Sequence, residues 1–140
     1  MKFKLLLAAM VFTGSAFAQT KDEAAIRNVL SKQTKAWNSG NIENFIQGYW
    51  QNDSLMFIGK SGITYGWQKT LDNYKKGYPD ATAMGRLDFT ILQIKRLSML
   101  YYFVVGKWHL ARSIGDAGGY FTLLFKKIKN NWVIVSDHSS

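Results

Sequence analysis

The chain has 140 residues, of which 47% are hydrophobic and 19% are charged, and this balance is typical of one globular domain and excludes a disordered chain. Its formal net charge of +9 attracts anions, but the basic residues stand in small separated groups, so we expect no nucleic-acid partner. The absence of cysteine excludes disulfides, thiol nucleophiles and cysteine-ligated zinc.

The first residues have the pattern of an export signal. Lys2 and Lys4 precede an apolar run over 5–12, and Ala16, Phe17 and Ala18 then give a small-x-small cleavage pattern. We therefore predict a signal peptide over 1–18, one domain over 19–140, and a periplasmic or secreted protein. An uncleaved N-terminal anchor is the alternative. No later stretch reaches the roughly 20 apolar residues of a membrane span, so stable membrane insertion is not expected.

Three amphipathic helices are predicted in the first half of the domain. Apolar residues at helical spacing favour a helix over 22–37, and Asn41 is a good N-cap for a short second helix that begins directly afterwards. Trp67, Leu71 and Tyr74 mark a third helix, which ends before Pro79.

Strands are predicted between and after these helices. A small hairpin pairs 55–58 with 63–65 across a glycine-containing turn. From about 86 onward the chain is rich in β-branched and aromatic residues, and we predict four strands over 86–97, 100–113, 119–129 and 132–138. Such an element order cannot form a parallel βαβ sheet. It predicts an α+β fold with three N-terminal helices on one curved, mostly antiparallel sheet.

The element order and several short sequence motifs together resemble those of the SnoaL-like, nuclear transport factor 2-like superfamily, which includes ketosteroid isomerases, polyketide cyclases and exported proteins. The motifs are AWNSGN at 36–41, GYW at 48–50, DS at 53–54, YGW at 65–67, GKW at 106–108, GGYFT at 118–122 and WVIVSDHSS at 132–140. The resemblance covers the whole predicted domain. It implies a cone-shaped, cystatin-like roll around an apolar pocket, often in a homodimer built through the sheets, but it implies no single chemistry.

Five aromatic residues and one arginine are candidate ligand-binding residues. The aromatic set would suit a flat or apolar ligand, although aromatic residues at helical spacing also fill cores; it consists of Tyr49, Trp50, Trp67, Tyr74 and Trp108. Alternation in the strand over 100–113 places Arg112 on the same face as Trp108. Arg112 would either bind an anionic group or pair structurally with Asp116 or Asp137.

Asp53 and His138 are the candidate catalytic residues. Asp53 follows the second helix, near where enzymes of this superfamily sometimes keep a carboxylate, or it caps a turn. Strict alternation places Trp132, Ile134 and His138 on one face of the last strand and Asp137 on the other. His138 would then act as an acid or base at the pocket mouth, or it has a structural role.

These residues support three functional hypotheses, of which the first two are the main ones. The first is an exported protein that binds a small apolar or anionic molecule in an aromatic-lined pocket. The second is a cofactor-independent isomerase or cyclase that uses a pocket Asp or His, and the third is a dimeric interaction module. The two histidines are not accompanied by other metal-ligating residues at the spacing of a metal site, and the glycines do not form a phosphate-binding loop. Neither a metal nor a cofactor is therefore expected.

Overall fold

The computed structural model describes residues 14–140, with side chains from residue 21 onward. The predicted signal peptide over 1–18 lies largely outside the described residues, and it stays a prediction together with the domain boundary at residue 19.

The described part of the chain before residue 85 contains four helices: α1 (Gly14–Asn38), α2 (Ile42–Ile46), α3 (Trp67–Gly77) and α4 (Ala81–Met84). The predicted cap of α2 is confirmed, because the Asn41 side chain accepts a hydrogen bond from the backbone N–H of Asn44. The expectation of three helices missed α4, a single turn capped by Asp80. No described helix combines the length and the apolar character that crossing a membrane requires.

Six strands form one mixed sheet: β1 (Met56–Gly59), β2 (Gly62–Tyr65), β3 (Arg86–Arg96), β4 (Tyr101–Ala111), β5 (Ala117–Ile128) and β6 (Asn131–Ser139). Their spatial order is β2-β1-β6-β5-β4-β3. Every neighbouring pair is antiparallel except β1 and β6, which run parallel. The predicted α+β fold with helices on a mostly antiparallel sheet is therefore confirmed.

Trp37 of α1 joins the helices to one another on one side of the sheet. α1 packs on β3 and β6, and the indole of Trp37 makes ring contacts with Phe45, Tyr74 and Tyr78. Its Nε1–H donates to the carbonyl oxygen of Met84 at 3.0 Å. Burial of this large ring supplies much apolar contact, while its polar atom stays hydrogen-bonded.

A β-bulge at Val135 corrects the faces predicted for the last strand. Phe125 pairs with Ile134 and the preceding residue Leu124 pairs with Ser136, so Val135 has no partner on β5. One extra residue reverses the alternation of every later side chain. Asp137 is therefore buried on the same side as Trp132 and Ile134, and His138 is exposed. The prediction that His138 shares the inner face was wrong.

Gly85 has a backbone conformation that residues with a side chain rarely adopt, and this provides a test of the fold. Its φ of 59° and ψ of −154° belong to a region essentially restricted to glycine. A Cβ there would also collide with the carbonyl oxygen of Ala111 and the side chain of Arg112. We expect Gly85→Ala to lower the free energy of unfolding by about 2 kcal/mol or more, measured by urea denaturation.

Gly77→Ala is the matched control, because a Cβ at Gly77 meets no atom within 4 Å and its backbone is helical. Alanine is the better helix former, so this variant should be as stable as the wild type or slightly more stable. Equal stability of the two variants would contradict the strain assigned to Gly85.

Candidate functional site

A cavity of about 750 Å³ lies between the helices and the concave side of the sheet. Apart from Ser140, its exposed lining residues come from the β1–β2 hairpin and from the C-terminal half of α3, so the cavity opens there. Lys60 and Lys76 stand at this opening. Neither lysine forms a salt bridge within the described part of the chain, whereas the neighbouring Lys75 pairs with Glu43.

The walls of the cavity are mainly apolar. They are formed by residues of α1, α2 and α3 and of all six strands; among the apolar residues are Leu30, Trp37, Phe45, Phe57, Tyr78, Leu87, Phe89, Trp108, Leu110, Phe121, Leu123 and Ile134. Trp108 and Leu110 are two positions apart on β4 and both line the cavity, as alternation along a strand requires. A concave, apolar lining of this volume is typical of sites for small organic molecules.

Asp137 has the one acidic side chain among the residues that line this cavity. It is 3% exposed, and the residues that flank it on the neighbouring strands are apolar, Phe57 on β1 and Leu123 on β5. Two hydroxyl groups donate to its oxygens. Tyr49 Oη–H donates to Oδ2 at 2.7 Å and Ser139 Oγ–H donates to Oδ1 at 2.7 Å.

Tyr74 extends these contacts into a hydrogen-bonded cluster, which we call the Asp137 network: Tyr74, Tyr49, Asp137 and Ser139. The hydroxyl oxygens of Tyr74 and Tyr49 are 3.2 Å apart. Tyr49 follows α2, Tyr74 belongs to α3, and the other two residues belong to β6. All four residues line the cavity, so the network forms a polar patch in an otherwise apolar wall.

Burial perturbs the titration of this network. Desolvation raises the pKa of Asp137 from 3.8 to about 6, although the hydrogen bonds from Tyr49 and Ser139 and the nearby His138 oppose that rise. Burial, followed by the charge of Asp137, raises the pKa values of Tyr49 and Tyr74 well above 10. Both phenols therefore keep their protons at neutral pH, and Asp137 is the group of the network that titrates there.

Three of the six predicted ligand-binding residues line the cavity: Tyr49, Tyr74 and Trp108. Trp50 and Trp67 do not line it. Trp67 is a structural residue, because its Nε1–H donates to the carbonyl oxygen of Ile46 at 3.1 Å. The backbone N–H of Trp50 donates to Ile134 at 2.8 Å and so fixes the segment after α2 to the sheet.

Arg112 also lies outside the cavity lining, and its guanidinium forms no salt bridge with Asp116 or Asp137. Its guanidinium donates to the carbonyl oxygens of Gly115 and Ala83, at 2.8 and 3.2 Å. Asp116 accepts a hydrogen bond from the backbone N–H of Arg112. That bond, followed by the contact with His109, lowers the pKa of Asp116. Arg112 therefore fastens the end of β4 to α4 and to the loop before β5.

The two predicted catalytic residues are not brought together. Asp53 is exposed in the turn before β1 and His138 is exposed on the other side of the sheet, and neither lines the cavity. Sequence reasoning missed Asp137 as a cavity residue because strict alternation placed it outside. Among the described residues, no three His, Asp or Glu side chains come close enough together to hold a metal ion.

Comparison with solved structures places this fold among known ones. An NTF-2 like protein of unknown function from Shewanella oneidensis is 46% identical, covers 85% of this chain and 98% of its own, and superposes with a TM-score of 0.82. A domain with a cystatin-like fold from Nostoc punctiforme, 16% identical, covers 86% of this chain and 77% of its own, with a TM-score of 0.72.

A ketosteroid isomerase-like protein from Erwinia carotovora is also 16% identical; it covers 84% of this chain and 93% of its own, with a TM-score of 0.65. No protein-family model and no curated protein matches the chain. The identity and coverage of the Shewanella match are decisive: the chain belongs to the nuclear transport factor 2-like family. The two more distant structures support the fold alone.

The raised pKa of Asp137 predicts a pH-dependent stability. Between pH 3.8 and about 6 the folded protein retains a proton that the unfolded chain has released. The free energy of unfolding should therefore fall as the pH rises through this window, by about 3 kcal/mol in total, and should change no further above it.

Asp137→Asn removes this titration and nearly preserves the shape of the side chain. Urea denaturation across the window should show the stability of the variant rising relative to that of the wild type, until the difference levels off above about pH 6. A difference that does not vary with pH would show that Asp137 titrates normally.

Proposed function

We propose that this protein binds a small, partly apolar molecule in the cavity. The observation that carries the proposal is an open cavity of about 750 Å³ whose apolar wall is interrupted by the buried Asp137 and the hydroxyl groups bonded to it. Contact with the aromatic and aliphatic wall would supply most of the binding free energy. The network would orient the ligand through a polar group, since a buried polar contact is costly to leave unmade.

The opening of the cavity favours a ligand with an anionic group. Lys60 and Lys76 line the opening, are exposed, and have no carboxylate partner among the described residues. The excess of basic residues over the whole chain adds a positive potential. A carboxylate or sulfonate on the ligand would meet the lysine ammonium groups at the opening while the apolar body lies deeper.

Acid–base catalysis is the second candidate function, and Asp137 is the specific observation that favours it. A carboxyl group with a pKa of about 6 inside a mostly apolar cavity can both accept and donate a proton near neutral pH. Asp137 would then take the role that the sequence suggested for Asp53 or His138. An isomerase or cyclase would need no other titrating group from the chain, because one carboxyl can remove a proton and return it.

We also propose that the mature protein is exported and forms a homodimer. Export is supported by the basic, apolar and small-x-small pattern of residues 1–18. Dimerisation is supported by the outer face of the sheet, which carries Phe103, Val105 and Leu124 at its centre and the 56% exposed Tyr120 beside them. An apolar sheet face of this kind suits a second copy of the chain.

A substitution that fills the cavity tests ligand binding. Ala117 lines the cavity, and Ala117→Phe would place a ring in it. We expect this variant to weaken the affinity for a molecule retained from the native host at least about tenfold, measured by native mass spectrometry and ligand titration. Ala111→Phe is the matched control, because Ala111 is exposed outside the cavity lining.

The same experiment separates the two candidate functions. Loss of the retained molecule from Ala117→Phe alone, with the molecule unchanged after incubation, supports binding. Conversion of that molecule by the wild type but not by Asp137→Asn would favour catalysis. Equal retention of the molecule by Ala117→Phe and Ala111→Phe would show that the molecule binds outside the cavity.

A charge at the centre of the outer sheet face tests the dimer. Leu124→Lys would place an ammonium group in the proposed interface, where burial without a partner is costly. Light scattering after size exclusion should give the mass of a dimer for the wild type and of a monomer for the variant. Met99→Lys, at a 73% exposed position in the turn after β3, is the control that should remain dimeric. A monomeric wild type would refute the interface.

A further inference from the structure

The hydroxyl protons of the Asp137 network are limited in number, and this decides what the network can offer to a ligand. Tyr49, Tyr74 and Ser139 each carry one hydroxyl proton, and an ionised carboxylate carries none. The network has three internal contacts: Ser139 to Asp137, Tyr49 to Asp137, and Tyr74 to Tyr49. Each contact uses one proton, so an ionised network has no proton left to donate towards the cavity.

The direction of each hydrogen bond follows from the same count. Both oxygens of an ionised Asp137 can only accept, so Tyr49 and Ser139 must donate to them. The hydroxyl proton of Tyr49 is then committed, and Tyr74 must donate to the Tyr49 oxygen. Tyr74 has no other hydrogen-bond partner in the described part of the chain. It therefore presents only lone pairs to the cavity.

Protonation of Asp137 adds a fourth proton to the same three contacts. Wherever that proton sits, one hydroxyl or carboxyl proton of the network is left without an internal acceptor and is free for a group in the cavity. Asp137 and Tyr49 are buried, and Tyr74 and Ser139 are half-buried. A donor left unused there is costly, so a ligand that can accept it gains affinity.

We propose that the Asp137 network selects a ligand by the hydrogen-bonding group that the ligand carries. The ionised network binds a ligand that donates a hydrogen bond, such as an alcohol or an N–H group. A ligand that only accepts hydrogen bonds, such as a ketone, binds with uptake of one proton by Asp137. This inference rests on the proposed binding function and specifies the ligand class for the same cavity. The raised pKa of Asp137, about 6, places the change between the two states near neutral pH.

Other titratable groups around Asp137 do not reproduce this behaviour. Tyr49 and Tyr74 have pKa values well above 10, and the adjacent strands contribute only Phe57 and Leu123. The imidazole of His138 follows Asp137 directly in the chain, but it is exposed outside the cavity lining. A variant of His138 therefore serves as a control.

Indanol and indanone are suitable probes, because they share one bicyclic skeleton and differ only in an alcohol or a ketone group. Neither probe titrates near neutral pH. We expect the affinity of the purified protein for indanone to fall at least roughly tenfold between about pH 5 and about pH 8, and the affinity for indanol to change less than about threefold. Chemical-shift titration by NMR measures both, and proton uptake on binding of indanone is measured by calorimetry in two buffers.

Two variants identify the group responsible. Asp137→Asn carries amide protons at every pH, so its affinity for indanone should equal that of the wild type at low pH and should not vary with pH. His138→Gln should keep the pH dependence of the wild type. Loss of the pH dependence in His138→Gln, or its persistence in Asp137→Asn, would overturn the assignment to Asp137.

The outcomes also separate this inference from the proposed function. Binding of both probes with the same pH dependence would overturn the ligand selection and leave the binding cavity intact. Failure of both probes to bind the wild type at any pH would count against the cavity as a binding site, and against this inference with it. Binding that disappears in Ala117→Phe confirms that the probes occupy the cavity.

Discussion

One additional residue in β6 determines which side chain of the last strand enters the cavity. The bulge at Val135 lets Ile134 and Asp137 lie on the same face although they are three positions apart. Ile134 is fixed on both sides by residues after α2, through backbone bonds with Gly48 and Trp50. After the bulge, β1 continues the sheet by pairing with Ser136, Asp137 and His138. Without the bulge a histidine would face the cavity and the carboxyl group would face outward.

The carboxyl group that results from this geometry is unfavourable for stability. Its flanking residues Phe57 and Leu123 offer no charge, and two hydroxyl donors compensate only part of the lost hydration. An apolar residue of similar size would satisfy the packing of this wall better. Tyr49 and Tyr74 reach Asp137 from two different parts of the chain, so the cluster is a property of the whole fold. A costly, fully hydrogen-bonded group in a cavity wall is the arrangement expected of a binding or catalytic site.

The element order could be predicted from the sequence because each boundary carries a local signal. Asn41 caps α2, Pro79 ends α3, and the turn around Asn130, where φ is positive, separates the last two strands. α4 was missed because one helical turn leaves no periodic pattern. The cavity position of Trp108 followed from alternation along a regular strand, whereas the position of Asp137 did not. A bulge is defined by the pairing of β6 with β5, and nothing within 132–138 indicates it.

The positions of opposite charges define how a ligand would lie in the cavity. Lys60 and Lys76 stand where the cavity opens, and Asp137 is buried in its wall. An anionic group is attracted to the lysines and repelled by the ionised Asp137, and the low polarity of the wall strengthens that repulsion. The apolar body must therefore enter first, with an uncharged polar group directed at the network. A molecule with two anionic ends would have to leave one charge unpaired beside Asp137, so the fold discriminates against it by repulsion as well as by fit.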